Sequence, residues 1–159
     1  MTKEIIGYFD KDKIIDTQST NSGEAIYFDN SSKALEIIRH SCAHLMAQAI
    51  KALYPEAKFF VGPVIEDGFY YDFRVSSKIS EEDLARIEKK MKEFAEAKLP
   101  IEKYQIQKSE AKAKFANDDL KQEVLLRIPE GDVGIYRQGE FEDLCRGPHL
   151  PNTKFLKFF

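Results

Sequence analysis

Asn30-Ser31-Ser32-Lys33-Ala34-Leu35-Glu36-Ile37-Ile38-Arg39-His40-Ser41-Cys42-Ala43-His44-Leu45-Met46-Ala47-Gln48-Ala49-Ile50-Lys51-Ala52-Leu53-Tyr54-Pro55 reads as one helix. Asn30, Ser31 and Ser32 are N-cap candidates and Pro55 closes the run, so the helix is predicted to end near Leu53. At about 100° per residue, Leu35, Ile38, Cys42, Leu45, Met46, Ala49, Ile50 and Leu53 share one broad apolar arc. His40 and His44 fall on roughly the opposite side, one turn apart, beside small Ala43 and Ala47. The helix therefore turns one side to a core and offers two imidazoles to solvent or to a second surface.

The flanking segments set the fold class. Residues 1 to 29 read as a small β element: Ile5, Ile6, Tyr8 and Phe9 lead into a turn at Asp10–Lys13, Ile14 and Ile15 follow, and a polar loop precedes a short Ala25–Phe28 strand. After the helix, Phe59–Val61 and Phe69–Val75 are strand-like, joined by a turn carrying Gly62-Pro63 and Asp67-Gly68. Phe69, Tyr71, Phe73 and Val75 alternate with polar neighbours, the period of a half-buried strand, and are expected in the core rather than as a platform for stacking bases. Ser80 with Asp83 makes a capping box, Ile79 with Leu84 a staple, and helical spacing then runs to Pro100. Ile101–Gln107 is a predicted strand, Ser109 opens a short helix, and Asp118-Asp119 start another that includes Lys121 and ends near Pro129. Ile135-Tyr136 and Glu140–Leu144 are predicted strands. Without regular βαβ alternation, the pattern implies an α+β fold, a mainly antiparallel sheet packed with helices. The expected division is a β element at 1–29 and a main domain at 30–159.

The last predicted strand feeds into Asp143-Leu144-Cys145-Arg146-Gly147-Pro148-His149. All three histidines of the chain thus belong to two pairs spaced four apart, His40/His44 and Cys145/His149. Gly147 and Pro148 exclude a helix for the second pair, and proline is expected to hold the residue before it extended. If this strand-end loop meets the helix, four side chains suited to proton transfer or metal binding converge in a cleft. Three readings stay open: a zinc site with ligands His40, His44, Cys145 and His149, a metal-free hydrolytic site in which imidazoles and a nearby lysine position water, or satisfied histidines beside a buried cysteine.

Composition narrows the classes. The 159 residues suit one domain with a real core, at 43% hydrophobic and 32% charged, with 12 Phe and 7 Tyr. A net charge of −3 argues against an autonomous nucleic-acid binder, so a nucleic-acid substrate would be held mostly by other parts of a larger protein. No apolar run approaches the roughly 20 residues that cross a bilayer, no signal-peptide pattern opens the chain, and two cysteines make no disulfide scaffold. A cytoplasmic protein without membrane association is expected. The apolar run Lys154–Phe159 suggests that the sequence is a piece of a longer enzyme.

The runs His40–Leu45, Gly62–Asp72 and Asp143–Asn152, in that order, resemble the N-terminal editing domain of bacterial threonyl-tRNA synthetases over about residues 31–159. The related alanyl-tRNA synthetase editing domain shares only the two paired motifs. The resemblance implies hydrolysis of serine wrongly esterified to threonine tRNA. Its partners would be the tRNA acceptor end and the rest of the parent synthetase, a homodimer through regions absent here. It implies no cofactor for editing, with zinc and ATP sites confined to the missing aminoacylation domain. It assigns Lys121 and His40 to activating or positioning water, and His44 and His149 to orienting substrate or relaying protons. Asp143 would accept from the seryl hydroxyl or amine, Cys145 would line the pocket, and Arg146 would contact a phosphate or serve at the surface. A covalent role for Cys145 ranks below water attack, since a thioester adds nothing needed to hydrolyse an activated ester. The chain departs from the pattern in three places: residues 1–29 can hold only a shortened ubiquitin-like module, the editing domain normally continues beyond Phe159 and so would be truncated at its C-terminal end, and Gln122 stands at a usually apolar position.

Overall fold

The computed structural model describes residues 4–157. Phe158 and Phe159, which complete the apolar chain end, lie outside them. Ser31 is the N-cap used: its side chain accepts from the Ala34 N–H, and the helix α1 runs Ser32–Leu53. The predicted apolar arc is only half the story of its packing. Cys42, Leu45, Ala49 and Ile50 are buried, but so are Ala34, Ile37, Ser41, His44 and Gln48 around the other side. The histidine face is therefore a second packing face, which alanines at 34, 43 and 47 allow neighbours to approach closely.

Every sheet is antiparallel, as expected. Strands β1 (Ile5–Asp10), β2 (Lys13–Asp16) and β3 (Glu24–Tyr27) form one sheet in the order β2-β1-β3. Its Ile6 and Ile26 join the main core with Ile37, Leu45 and Ile50 of α1. Downstream, β4 (Lys58–Phe59) pairs with β7 (Phe73–Arg74), and the small hairpin β5 (Val64–Ile65) and β6 (Gly68–Phe69) lies between them in sequence. The single strand predicted over Phe69–Val75 is thus broken at Tyr70–Asp72. The interruption lets Tyr71 settle over Gly62, where a Cβ would collide with its ring, and reach inward to Asp143. The alternation itself holds, since Phe69, Tyr71, Phe73 and Val75 all pack on the core.

Helix α2 (Glu81–Glu96) opens with the Ser80/Asp83 capping box and buries Ile87, Met91 and Ala95. It stops short of Pro100, and Leu84 in its first turn is 58% exposed, ahead of the buried stripe, so the expected staple does not shelter it. Strand β8 (Glu102–Gln107) leads into α3 (Lys108–Lys114), which starts without a side-chain cap rather than from Ser109. Asp118 caps α4 (Asp119–Leu126) by accepting from the Lys121 N–H. Gln122, polar where the resemblance leads one to expect an apolar residue, donates to the carbonyls of Lys112 and Phe115 and ties α4 to α3. Strands β9 (Asp132–Gln138) and β10 (Phe141–Leu144) complete a sheet of order β10-β9-β8. Gln48 of α1 and Gln138 of β9 exchange hydrogen bonds, which seats the histidine face of α1 beside this sheet.

Candidate active site

The two paired motifs meet. The candidate ligand atoms of His40, His44, Cys145 and His149 all lie within 4.8 Å of one another. His40 and His44 come from the middle of α1, and Cys145 to His149 from the loop that follows β10. That loop is not extended before proline as expected. Gly147 takes φ +83° ahead of a cis bond to Pro148, a backbone that glycine adopts without penalty. A Cβ there would strike the Tyr136 hydroxyl.

Ring contacts compact the group. The His149 ring centroid is 4.1 Å from that of His40 and 4.1 Å from that of His44, and the two helix histidines are 5.5 Å apart. Tyr136 lies edge-on to His149 at 4.4 Å. Burial lowers the pKa of His40 and drives those of His44 and His149 well below the ordinary histidine value. Neighbouring imidazoles push His44 and His149 further in the same direction, and Lys121 adds to the effect on His44. All three rings are thus held neutral at pH 7.

Neutral rings fix the direction of each hydrogen bond. His40 Nδ1 lies 2.9 Å from the Pro148 carbonyl oxygen, which only accepts, so the proton of His40 sits on Nδ1. Its bare Nε2 must then accept from the Cys145 thiol 3.2 Å away. Cys145 Sγ accepts in turn from His149 Nε2–H at 3.2 Å. That leaves His149 Nδ1 bare, to accept from Ser41 Oγ–H at 3.0 Å. The other end of the chain agrees, because Leu150 N–H donates to Ser41 Oγ at 2.8 Å. Every proton in the series Leu150, Ser41, His149, Cys145, His40, Pro148 has one place to go. Burial pushes the Cys145 thiol up to about 12, so it is a hydrogen-bonding thiol and no thiolate nucleophile at pH 7.

Beside this series lies an ion pair. Lys121 Nζ contacts Asp143 Oδ1, with Lys121 4% and Asp143 1% exposed. Lys121 is not a solvated helix lysine. Asp143 Oδ1 also accepts from the Leu144 N–H at 2.8 Å, and Oδ2 accepts from the Tyr71 hydroxyl. Burial and the adjacent Asp143 raise the Tyr71 pKa well above the ordinary phenol value. His44 stands between the two groups, its ring 6.4 Å from Tyr71 and 6.1 Å from Phe141. A cavity of about 700 Å³ reaches Lys121 and Asp143 from the side of Gln48, Phe59, Phe94 and Phe141. Arg146 is exposed, outside the buried group.

Sequence reasoning missed Ser41, Tyr71 and Tyr136 as site residues. Ser41 carried a signal, since it lies inside the His40–His44 run and follows an i, i+3 relation to His44. Tyr71 and Tyr136 were legible only as core aromatics.

Residues 133–159 match the family described as the threonyl and alanyl tRNA synthetase second additional domain. Across its whole length the chain is 75% identical to a threonine–tRNA ligase of Campylobacter lari and 77% identical to one of Campylobacter jejuni. With 98% of the chain aligned, it is 66% identical to that of Campylobacter curvus. It spans 27% of the length of each of these relatives, their N-terminal part. Over its whole length the chain is thus similar to the N-terminal part of bacterial threonine–tRNA ligases.

Proposed function

We propose that this chain is an editing hydrolase unit, contained in residues 30–159, that cleaves the seryl ester of mischarged threonine tRNA by water attack and spares threonyl-tRNA. A synthetase pocket sized for threonine also admits serine, because a missing methyl is worth only about 1–3 kcal/mol of discrimination. A second site that hydrolyses serine and clashes with the extra methyl restores fidelity. The observation that carries this reading is the meeting of a buried Lys121–Asp143 pair with three neutral imidazoles at one place.

The roles follow from which groups are already engaged. His40 and His149 spend both ring nitrogens on the hydrogen-bonded series, while His44 has no hydrogen-bond partner among the described residues and is free to hold a water. A neutral imidazole has a bare ring nitrogen to take that water's proton. Lys121 supplies positive charge for the oxyanion that forms as the carbonyl is attacked, and Asp143 with Tyr71 fixes its position. Within this scheme His40 and Cys145 hold the geometry, and Arg146 at the rim meets tRNA phosphate. The acceptor end of threonine tRNA and the remainder of the synthetase are the partners. No helix among the described residues is long and apolar enough to cross a membrane.

The test is deacylation of purified seryl-tRNA and threonyl-tRNA by the chain. Seryl-tRNA should be hydrolysed and threonyl-tRNA spared by at least about 10-fold, the lower range for one methyl. Equal rates, or none above buffer, refute the reading.

A zinc-binding structural or tRNA-interaction module is the second reading, because three imidazoles and one thiol are ligand types that zinc accepts and their candidate atoms lie within 4.8 Å of one another. His40, His44, Cys145 and His149 would hold the ion, which would act as a Lewis acid or fix the loop. Coordination through His149 Nε2 requires its proton to move to Nδ1 and Cys145 to lose its own. Nitrogen NMR of the imidazoles therefore separates the readings: an Nε2-protonated His149 marks the hydrogen-bonded series, an Nδ1-protonated one the metal site.

A further inference from the structure

We infer that Asp16 and Tyr136 are positioning residues for His149, and that the N-terminal β element is in this way a working part of the hydrolytic site. The inference rests on the editing reading for its catalytic consequence and on geometry alone for the contact. Asp16 ends β2 at 2% exposure, Tyr136 is central in β9 at 1%, and His149 is fully buried. The Tyr136 hydroxyl donates to Asp16 Oδ2, and its ring edge meets His149 at 4.4 Å. The same hydroxyl fills the space that the missing Gly147 side chain leaves, so it touches the loop at two places.

Asp16 is itself anchored. Its Oδ1 accepts from the Ser19 N–H at 3.1 Å and from Ser19 Oγ at 2.9 Å. The loop beyond it is fastened to β8 and the residue before it: Gln18 donates to the Ile101 carbonyl, the Lys103 N–H donates to Gln18 Oε1 at 2.7 Å, and Lys103 Nζ reaches Ser19 Oγ at 3.2 Å. A carboxylate so held fixes the phenol, and the phenol limits rotation and translation of the His149 ring. His149 must stay aligned because it passes the Ser41 proton pattern on to Cys145. A ring freed to shift by about 1 Å would cost up to about 100-fold in rate.

The experiment compares wild type, Asp16→Ala, Asp16→Asn and Tyr136→Phe in the complete chain, by seryl-tRNA deacylation and by nitrogen NMR of the His149 ring. Asp16→Ala and Tyr136→Phe should lower kcat about 10-fold or more with KM little changed, and should replace the single Nε2-protonated His149 signal by a tautomer mixture. Asp16→Asn keeps only one of the two acceptor oxygens, for which the phenol and Ser19 compete, so it should restore both in part. Tyr136→Phe keeps the ring and its volume, and carries the test if Asp16→Ala fails to fold. Unchanged His149 signals in the folded variants overturn the inference, as does a loss that Asp16→Asn shares in full. If wild type itself leaves seryl-tRNA intact, the editing reading fails, and the NMR comparison still decides whether the pair positions His149.

Discussion

Lys121→Ala removes the counter-ion of a carboxylate that is 1% exposed. Loss of one partner of a buried ion pair costs about 3–5 kcal/mol, because the remaining charge stays desolvated. Asp143 would keep the Tyr71 hydroxyl and the Leu144 N–H, which places the loss at the lower end, about 3 kcal/mol. With a urea m-value of about 2 kcal/mol/M, the unfolding midpoint should fall by about 1.5 M. Asp143→Asn added to Lys121→Ala removes the stranded charge, so the double variant should recover about 1–2 kcal/mol of that loss. Urea unfolding followed by circular dichroism measures all three proteins. A loss under about 1 kcal/mol for Lys121→Ala, or strict additivity in the double variant, would show that the pair is not the buried, coupled unit described. The same Lys121→Ala protein, assayed below its unfolding transition, should also lose seryl-tRNA deacylation. Retention of the rate would remove lysine from the mechanism while leaving the stability argument intact.

Cys145→Ser keeps a donor and an acceptor between His40 and His149 and should retain most deacylation. Cys145→Ala leaves both ring nitrogens without a partner and should cost about 1–3 kcal/mol of stability, read as a urea midpoint. Gly147→Ala, at φ +83° and against the Tyr136 hydroxyl, should destabilise by about 1–3 kcal/mol, and wild-type stability would refute the claim that this position needs glycine. The histidines give a pH dependence whose sign is fixed. Their folded-state pKa values lie below the ordinary 6.5, so the unfolded chain binds more protons as pH drops through that value. Stability is complete above about pH 6.5 and declines below it, by up to about 1.4 kcal/mol per pH unit for each histidine. Urea midpoints at pH 7.5 and 5.5 should differ in that direction, and a flat or reversed profile would mean that the rings are charged in the folded protein.

The main helix, the capping box at Ser80, the short helix around Lys121 and the antiparallel class were legible because each is written in local spacing. The convergence of His40, His44, Cys145 and His149 was legible too, since scarce residue types shared one interval. What escaped was long-range. The alternation puts Tyr71 on the core side, but nothing in the local sequence pairs its hydroxyl with Asp143. The positive φ of Gly147 answers to Tyr136, which is eleven residues away in the chain but adjacent in space. The second buried side of α1 was hidden because Gln48 and Ser41 look solvent-facing until Gln138 and His149 supply their partners.

The stacking of His40, His44 and His149 limits how much charge they hold together. A proton on His149 raises the cost of one on either helix imidazole 4.1 Å off, and the helix pair at 5.5 Å is coupled in the same way, in surroundings that screen poorly. Uptake and release then proceed in macroscopic steps that belong to the trio, not to any member. A titration that follows one imidazole therefore reports the occupancy of its two companions.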